Sequence, residues 1–303
     1  MMDFWISVLE QGLLFSVMVL GVYITYKILD FPDLTVDGSF PLGAAVMAAS
    51  LVKGFHPGVG MIFAFVAGML AGGATGFLHV KLKITNLLSG ILVMIGLYSI
   101  NLRIMMGKAN IPLFQEKTLF TGRLPALFII FLFAICSKIL LDLFLKTKFG
   151  FLIKAAGDNP QLVTSLGIPL GAIKIVALMI ANGMVALSGA LVAQHQSFSD
   201  VGMGSGIIVM GLASIIFGEA LLRKVPVIVP TTMAIVGSIL YKLSIAFALK
   251  LGFPPTDLKL ITALIVVAAL SVNQTAGMMN LRKWFKKEGA SVVTNTKPMQ
   301  NLS

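Results

Sequence analysis

The sequence predicts an all-α fold: a polytopic helical membrane protein with about nine transmembrane segments, two of them short or broken. Three observations predict it. The chain is 57% hydrophobic and 12% charged, with a mean hydropathy of +0.97 over 303 residues, whereas a soluble domain carries about 25% charged residues. The apolar residues come in repeated blocks of about 20, and each block can cross a hydrocarbon core of about 30 Å as a helix. The basic residues sit in small groups between the blocks, such as Lys81 with Lys83 and Arg282 to Lys287. Such groups act as topology signals.

The first block covers residues 6–29. The stretch DFPDLTVDGSFPLG follows at 30–43, with Asp30, Asp33 and Asp37 among two prolines. An apolar piece at 42–52 is too short to span untilted and is expected to be a half-length helix. Pro32 and Pro41 are expected to break helix continuity and Gly38 to permit a tight turn. Asp37 or Ser39 then caps the short helix. The third block, 59–80, carries Gly68, Gly72 and Gly76 at four-residue spacing, a small-xxx-small pattern for close helix packing. Further blocks cover 86–106, 124–145 and 173–193. A second short segment at 207–222 precedes blocks at 225–249 and 258–272. The tail, 273–303, is basic near Trp284 and Phe285, as a membrane-surface anchor would be, and is expected to end in disorder.

With the 146–174 segment and the tail inside, 14 cations fall inside and 8 outside, leaving Lys138 within a span. The bias sets the orientation. An outside N-terminus and inside C-terminus then require an odd number of crossings, which nine satisfies. A weak internal symmetry relates 17–52 to 176–222, each a span, a polar acidic loop and a short apolar helix. The two copies enter from opposite sides, a plan that recurs in transporters.

Several function classes lose support. The net charge of +11 is spread as topology signals, and no nucleic-acid-reading motif accompanies it. Cys136 is the only cysteine and lies inside an apolar block, where a small buried hydrophobe is expected. His56, His79 and His195 lack ligand spacing, so no metal site is expected, and the 17 methionines read as core filler. No catalytic triad order or paired-carboxylate spacing suggests an enzyme. The N-terminus MMDFWISVLEQG is acidic, unlike a cleavable signal.

The longest polar interruption, 146–174, contains GFLIKAAGDNPQLVTSLGIPL. Residues 151–156 can form one or two turns that stop at Gly157. Asn159 caps a second short helix, with Pro160 at its first position and Gly167 at its end. This is an ordinary loop or a docking knob. The chain has no GxxxxGK[ST] phosphate loop, so any ATP-driven motor must be a separate chain docked there.

GFLIKAAGDNPQLVTSLGIPLGAIK resembles the coupling loop of bacterial ABC-importer permeases for branched-chain amino acids and simple sugars. PDLTVDGSFPLGA, TGFLHVKLKITNLLSGILVMIGLYSINLRI and LVAQHQSFSDVGMGSGIIVMGLASIIFGEAL are similar to other segments of that family, in collinear order over 10–272. FPDLTVDGSFPLGAAV with LYSINLRIMMGKANIPL looks most like its aromatic amino acid subgroup, assigned to tryptophan or tyrosine. Where sugar-type members carry a glycine-rich segment, this chain has FGEALLRKVP with Glu219, a departure that argues against a sugar. The resemblance implies an inverted-repeat permease domain over 1–272, in the bacterial cytoplasmic membrane, working as a homodimer. It implies an ATPase subunit that binds ATP and magnesium and contacts Lys154, Ala155, Ala156, Gly157, Asp158, Asn159 and Pro160 within 146–172. It also implies an extracellular substrate-binding protein. No cofactor is expected in this chain. A permease for a sugar or nucleoside, and a secondary transporter or channel independent of ATP, are the alternatives.

Polar residues within spans usually line a cavity or pair. Asn86, Ser89, Asn101, Asn182 and Ser188 therefore either bond between helices or line a path, as do Asp33 and Ser39 at the broken helix. Asp37 is expected to define the fold, and Asp33 fits either role. Glu219 and Arg223 are four apart and suit an ion pair at a helix end.

Overall fold

A computed structural model describes residues 2–122, 124–222, 228–254, 257, 260–264 and 267. Helix α1 (Met2–Tyr23) continues into a π-helical turn, Ile24–Ile28. Next come α2 (Val36–Val52), α3 (Pro57–Val80) and α4 (Asn86–Ile104). A three-residue strand, β1 (Asn110–Pro112), precedes α5 (Ala126–Lys146). Two short helices, α6 (Lys148–Asp158) and α7 (Pro160–Ser165), lead into α8 (Leu170–Gln196). Strand β2 (Phe198–Asp200), α9 (Ile207–Leu222) and α10 (Pro230–Lys250) complete the described elements. Among the described residues, six helices are long and apolar enough to cross a membrane, and α2 and α9 are the two shorter apolar ones. The expected ninth segment lies outside the described residues except for 260–264 and 267. Arg123, Arg223, Lys224 and the 273–303 tail lie outside them altogether.

Local chemistry accounts for the helix boundaries. At α3 the His56 ring accepts from the Gly58 amide at 3.1 Å, with Pro57 in the first position, where its missing N–H costs nothing. At α6 the Thr147 hydroxyl accepts from the Gly150 amide. Helix α8 ends at Ser197, whose φ of +58° is left-handed. At about 1.5 Å per residue its 27 residues reach about 40 Å, longer than the hydrocarbon core.

Helix α8 is the central post, packed against α1, α2 and α3. Small residues let it do so. A Cβ at Gly68 or Gly72 of α3 would overlap the carbonyl oxygen of Asn182 or Leu178, and one at Gly76 would press on Ile175. The expected glycine stripe is thus the α3–α8 seam, built by backbone approach as in membrane helix pairs. Large apolar side chains point outward instead, including Ile62 and Leu70 of α3 and Phe128 and Leu140 of α5. Hydrocarbon, not water, is the medium that such an outer surface suits.

Several expectations are corrected. Helix α2 spans 17 residues and begins at Val36, because Pro41 lies within it instead of breaking it. Pro41 sits one turn past the start, where the carbonyl it leaves without an intrahelical donor is that of Asp37. That carbonyl lies against Gly204, where a Cβ would collide with it. Gly38 is likewise helical, and its missing Cβ admits Met94 and Leu97 of α4. Helix α6 does not stop at Gly157 but runs through it to Asp158, pressing Gly157 onto the Ile28 carbonyl. Cys136 is exposed on α5, not buried. The fold also includes a two-stranded antiparallel ladder, with Ile111 opposite Ser199, tying the α4–α5 and α8–α9 connections together.

Candidate functional site

The two short helices meet at their N-termini. Asp37, near the start of α2, accepts from the Ile208 amide at 2.8 Å through Oδ1 and from the Gly206 amide at 3.0 Å through Oδ2. It thereby caps α9 and not its own helix, whose N-cap Thr35 makes no side-chain capping bond. The helices then diverge. Ser39 and Gly43 of α2 lie against Asn182 and Ala186, so α2 runs alongside α8. Gly211 of α9 lies against Met18 and Val22 and Glu219 against Lys27, so α9 runs alongside α1. Helix α1 is antiparallel to α8, with Leu14 beside Ser188 and Gly21 beside Ala181. The two short helices therefore run in opposite directions from a common point.

Behind α2 lies a buried polar network. Asp33, 1% exposed, accepts from the Thr35 amide at 2.9 Å and from Asn182 Nδ2 at 2.7 Å. Asn182 Oδ1 in turn accepts from Ser39 Oγ at 2.8 Å, and its Nδ2 also reaches the Leu178 carbonyl. The hydroxyls of Thr35 and Thr75 bond each other at 2.6 Å. Gly90 of α4 closes the site, because a Cβ there would crowd the Leu34 amide and Asp33. The network thus joins α2, α3, α4 and α8. A turn with Asp30 at a φ of +51° leads into it from the π-helical end of α1.

In front of α2 lies a cavity of about 470 Å³, walled by α2, α4 and the segment before α9. Asp37, Tyr98, Ser99, Asn101 and Ser205 bring polar groups to it, and Pro41, Met94, Ile95 and Val201 supply apolar wall. Asn101 Nδ2 donates to the Gly38 carbonyl at 3.3 Å, and its Oδ1 is buried with no partner among the described residues.

The candidate residues therefore divide. Asp33, Ser39 and Asn182 share the network, and Asn101 reaches α2 from the cavity side. Asn86 and Ser89 do not join them: Ser89 Oγ turns back to the Asn86 carbonyl at 2.8 Å. Ser188 bonds the Leu14 carbonyl between helices. Glu219 pairs with Lys27 at 2.9 Å, a partner 192 residues away. Sequence reasoning passed over Thr35, Thr75 and Tyr98. The signal for Tyr98 was available, since it stands three positions before Asn101 on one helical face.

At the end of the bundle where α1 and α9 finish, α6 and α7 form the anticipated helical knob. Asn159 Oδ1 accepts from the Leu162 amide at 3.2 Å, Pro160 begins α7, and Gly167 beyond it has a φ of +73°. The knob is two-sided. Ala155 and Ala156 are buried and Gly157 half-buried against the bundle, whereas Lys154, Asp158, Asn159 and Pro160 are exposed. Phe151, Leu162 and Leu166 stand exposed with them.

Among the described residues, no three His, Cys, Asp or Glu side chains gather as a metal would require. A family profile described as the permease component of the branched-chain amino acid transport system matches residues 4–270. A tyrosine transport system permease protein of Clostridioides difficile is 54% identical over 288 residues, 95% of each chain. An uncharacterized protein of Rickettsia prowazekii is 35% identical, covering 89% of this chain and 98% of that one. The autoinducer 2 import system permease protein LsrC of Yersinia enterocolitica is 30% identical over 61% of this chain and 52% of its own. No solved structure matches the chain.

Proposed function

The chain belongs to the family of branched-chain amino acid transport system permease components, and we propose that it is the membrane permease of an ATP-driven importer for an aromatic amino acid, tyrosine first. The observation that carries this reading is the 54% identity with a tyrosine transport permease across 95% of both chains. The chain is a multi-pass membrane protein of a transporter family. In the proposed role it does no covalent chemistry. A separate ATPase binds ATP and magnesium at the inner face of the bacterial cytoplasmic membrane, an extracellular binding protein delivers the substrate, and two permease copies enclose the path.

The knob supports the coupling part of the proposal. Its exposed side offers Lys154, Asp158, Asn159 and Pro160 beside apolar Phe151 and Leu162, a mixed surface suited to a protein partner. Its inner side, with Ala155, Ala156 and Gly157, rests on the end of α1. A push on the outer side then reaches α1 and α8 through packed backbone, without a flexible linker. The Asp33, Ser39 and Asn182 network lies between that end and the meeting point of the short helices, where a transmitted shift would alter the path.

The test is uptake of labelled tyrosine into liposomes containing the permease and its ATPase, supplied with the binding protein. Uptake that needs ATP and all three components is expected. Uptake without the ATPase and indifferent to ATP would establish a secondary transporter or channel. ATP-driven uptake of a sugar or nucleoside, and not of amino acids, would reassign the substrate.

A further inference from the structure

We infer that the cavity between α2, α4 and the segment before α9 is a subsite for the ammonium group of an amino acid, with Asn101 and Asp37 as its acceptors and Tyr98 flanking the side chain. This deepens the importer reading and rests on it. The cavity, about 470 Å³, falls within the roughly 300–1,000 Å³ range of small-molecule sites.

Hydrogen-bond supply and demand decide which group it takes. Paired helix N-termini ordinarily suit an anion, but here their amides are already engaged. The Gly206 and Ile208 amides donate to Asp37, and the Ile207 amide donates to the Gly204 carbonyl. On α2 the Asp37 amide donates to the Leu34 carbonyl, and those of Gly38 and Ser39 to the Thr35 carbonyl. The Asp37 carboxylate also sets its negative charge against the partial positive charges of both helix ends. A substrate carboxylate arriving here would meet a like charge and occupied donors.

The unmet need is for a donor. Asn101 is 1% exposed and lies in the cavity wall. Its Nδ2 is committed to the Gly38 carbonyl, which fixes the amide orientation and leaves Oδ1 as an acceptor with no donor among the described residues. Buried polar atoms left in that state are rare and costly. Asp37 retains lone pairs beyond the two amide bonds. Among the described residues lining the cavity, none is cationic. An ammonium group brings three donors and a positive charge, and so answers both deficits. Tyr98, 54% exposed on the same wall, presents a ring against which an aromatic side chain can pack, with Met94 beside it.

The test uses the intact permease–ATPase complex in detergent, without the binding protein. Thermal protection is titrated with L-tyrosine, tyramine (ammonium without carboxylate) and 3-(4-hydroxyphenyl)propionate (carboxylate without ammonium). Protection by the first two and not the third is expected. Asn101→Leu should weaken tyrosine half-saturation about tenfold or more, as losing a bond to a charged group does. Because Asn101 is buried, Tyr98→Ala on the exposed wall serves as the second variant, with a weaker loss for tyrosine in a normally folded complex. Equal protection by the propionate, no protection by any compound, or half-saturation within twofold of wild type in both variants would overturn the subsite. Tyrosine uptake by the unaltered complex is measured alongside. Uptake without the ammonium preference removes the subsite alone, whereas tyramine protection without ATP-driven tyrosine uptake removes the importer reading and leaves the subsite.

Discussion

Asp37 of α2 caps α9: its Oδ1 accepts the Ile208 amide at 2.8 Å across 171 residues of sequence. One carboxylate thus fixes the meeting point of two short helices from opposite halves of the chain. Inside a membrane an uncapped helix start has no water to turn to, so the bond matters more than an exposed cap does. Asp37→Ala is expected to destabilise the folded permease by about 2 kcal/mol, the upper end for losing an N-cap. Asp37→Asn, which keeps one acceptor oxygen, should cost less. Thermal unfolding in detergent checks the order, and equal stability of Asp37→Ala and wild type would refute the clasp.

Asp33 serves two donors, the Thr35 amide and Asn182 Nδ2. Asp33→Ala leaves the Thr35 amide without its acceptor and Asn182 Nδ2 with only the Leu178 carbonyl, at about 1–3 kcal/mol for a buried group left unsatisfied. Asp33→Asn has one oxygen for two donors, so one bond becomes a donor–donor contact. Combining Asp33→Asn with Asn182→Asp restores the bonds to position 33 and Ser39, since a carboxylate at position 182 can accept from both, but it gives up the bond to the Leu178 carbonyl. The folded yield on size exclusion should fall in each single variant and recover in part in the double one.

Gly72 and Gly96 are both helical glycines in apolar surroundings, yet their fates should differ. A Cβ at Gly72 overlaps the Leu178 carbonyl in the α3–α8 seam, whereas one at Gly96 of α4 meets nothing within 4 Å among the described residues. Gly72→Val is expected to cost at least about 1–3 kcal/mol through overpacking. Gly96→Ala should be neutral or gain up to about 1 kcal/mol from helix propensity. Thermal midpoints of the two variants decide it.

On the proposed coupling role, the two sides of the knob should respond differently to substitution. Gly157→Leu forces a side chain onto the Ile28 carbonyl and should lower folded yield. Leu162→Asp alters a residue 45% exposed and should leave yield unchanged while abolishing most ATP-driven uptake. ATPase activity and uptake, measured on the same reconstituted sample, distinguish the two. Normal uptake by Leu162→Asp would place the ATPase contact elsewhere.

The Lys27–Glu219 pair should contribute little to stability. Lys27 is 47% exposed, and pairs at such sites contribute less than about 1 kcal/mol after solvent screening. Lys27→Ala is expected to shift the thermal midpoint by no more than about a degree or two. A larger shift would show that the pair is shielded from solvent, for example by a partner subunit.

Much of this architecture is legible in the order of residues. The apolar blocks located the six long helices to within a few residues, because a chain in lipid must satisfy its backbone within each span. The glycines of α3 announced a tight seam, and Asn159-Pro160 announced the cap of α7, because both effects are local or periodic. The stretch at 30–43 was misread in detail for an equally physical reason. Asp37 and Pro41 carry the local marks of a cap and a break, and local rules assign both to their own helix. Gly204, Gly206 and Ile208 overrule that assignment by supplying space for one carbonyl and donors for one carboxylate, and they lie far away along the chain, in its second half.

A helical membrane protein, two short helices, a knob and a family resemblance are all legible along the chain. Those properties follow from hydropathy, spacing and short motifs along the chain. Packing alone reveals that the short helices share one carboxylate, that Glu219 pairs with Lys27, and that Asn101 Oδ1 has no donor among the described residues beside a cavity. Each of these is a relationship between distant segments. Hydrogen-bond partners are chosen by position in space, and the order of residues does not contain that choice until the helices have packed.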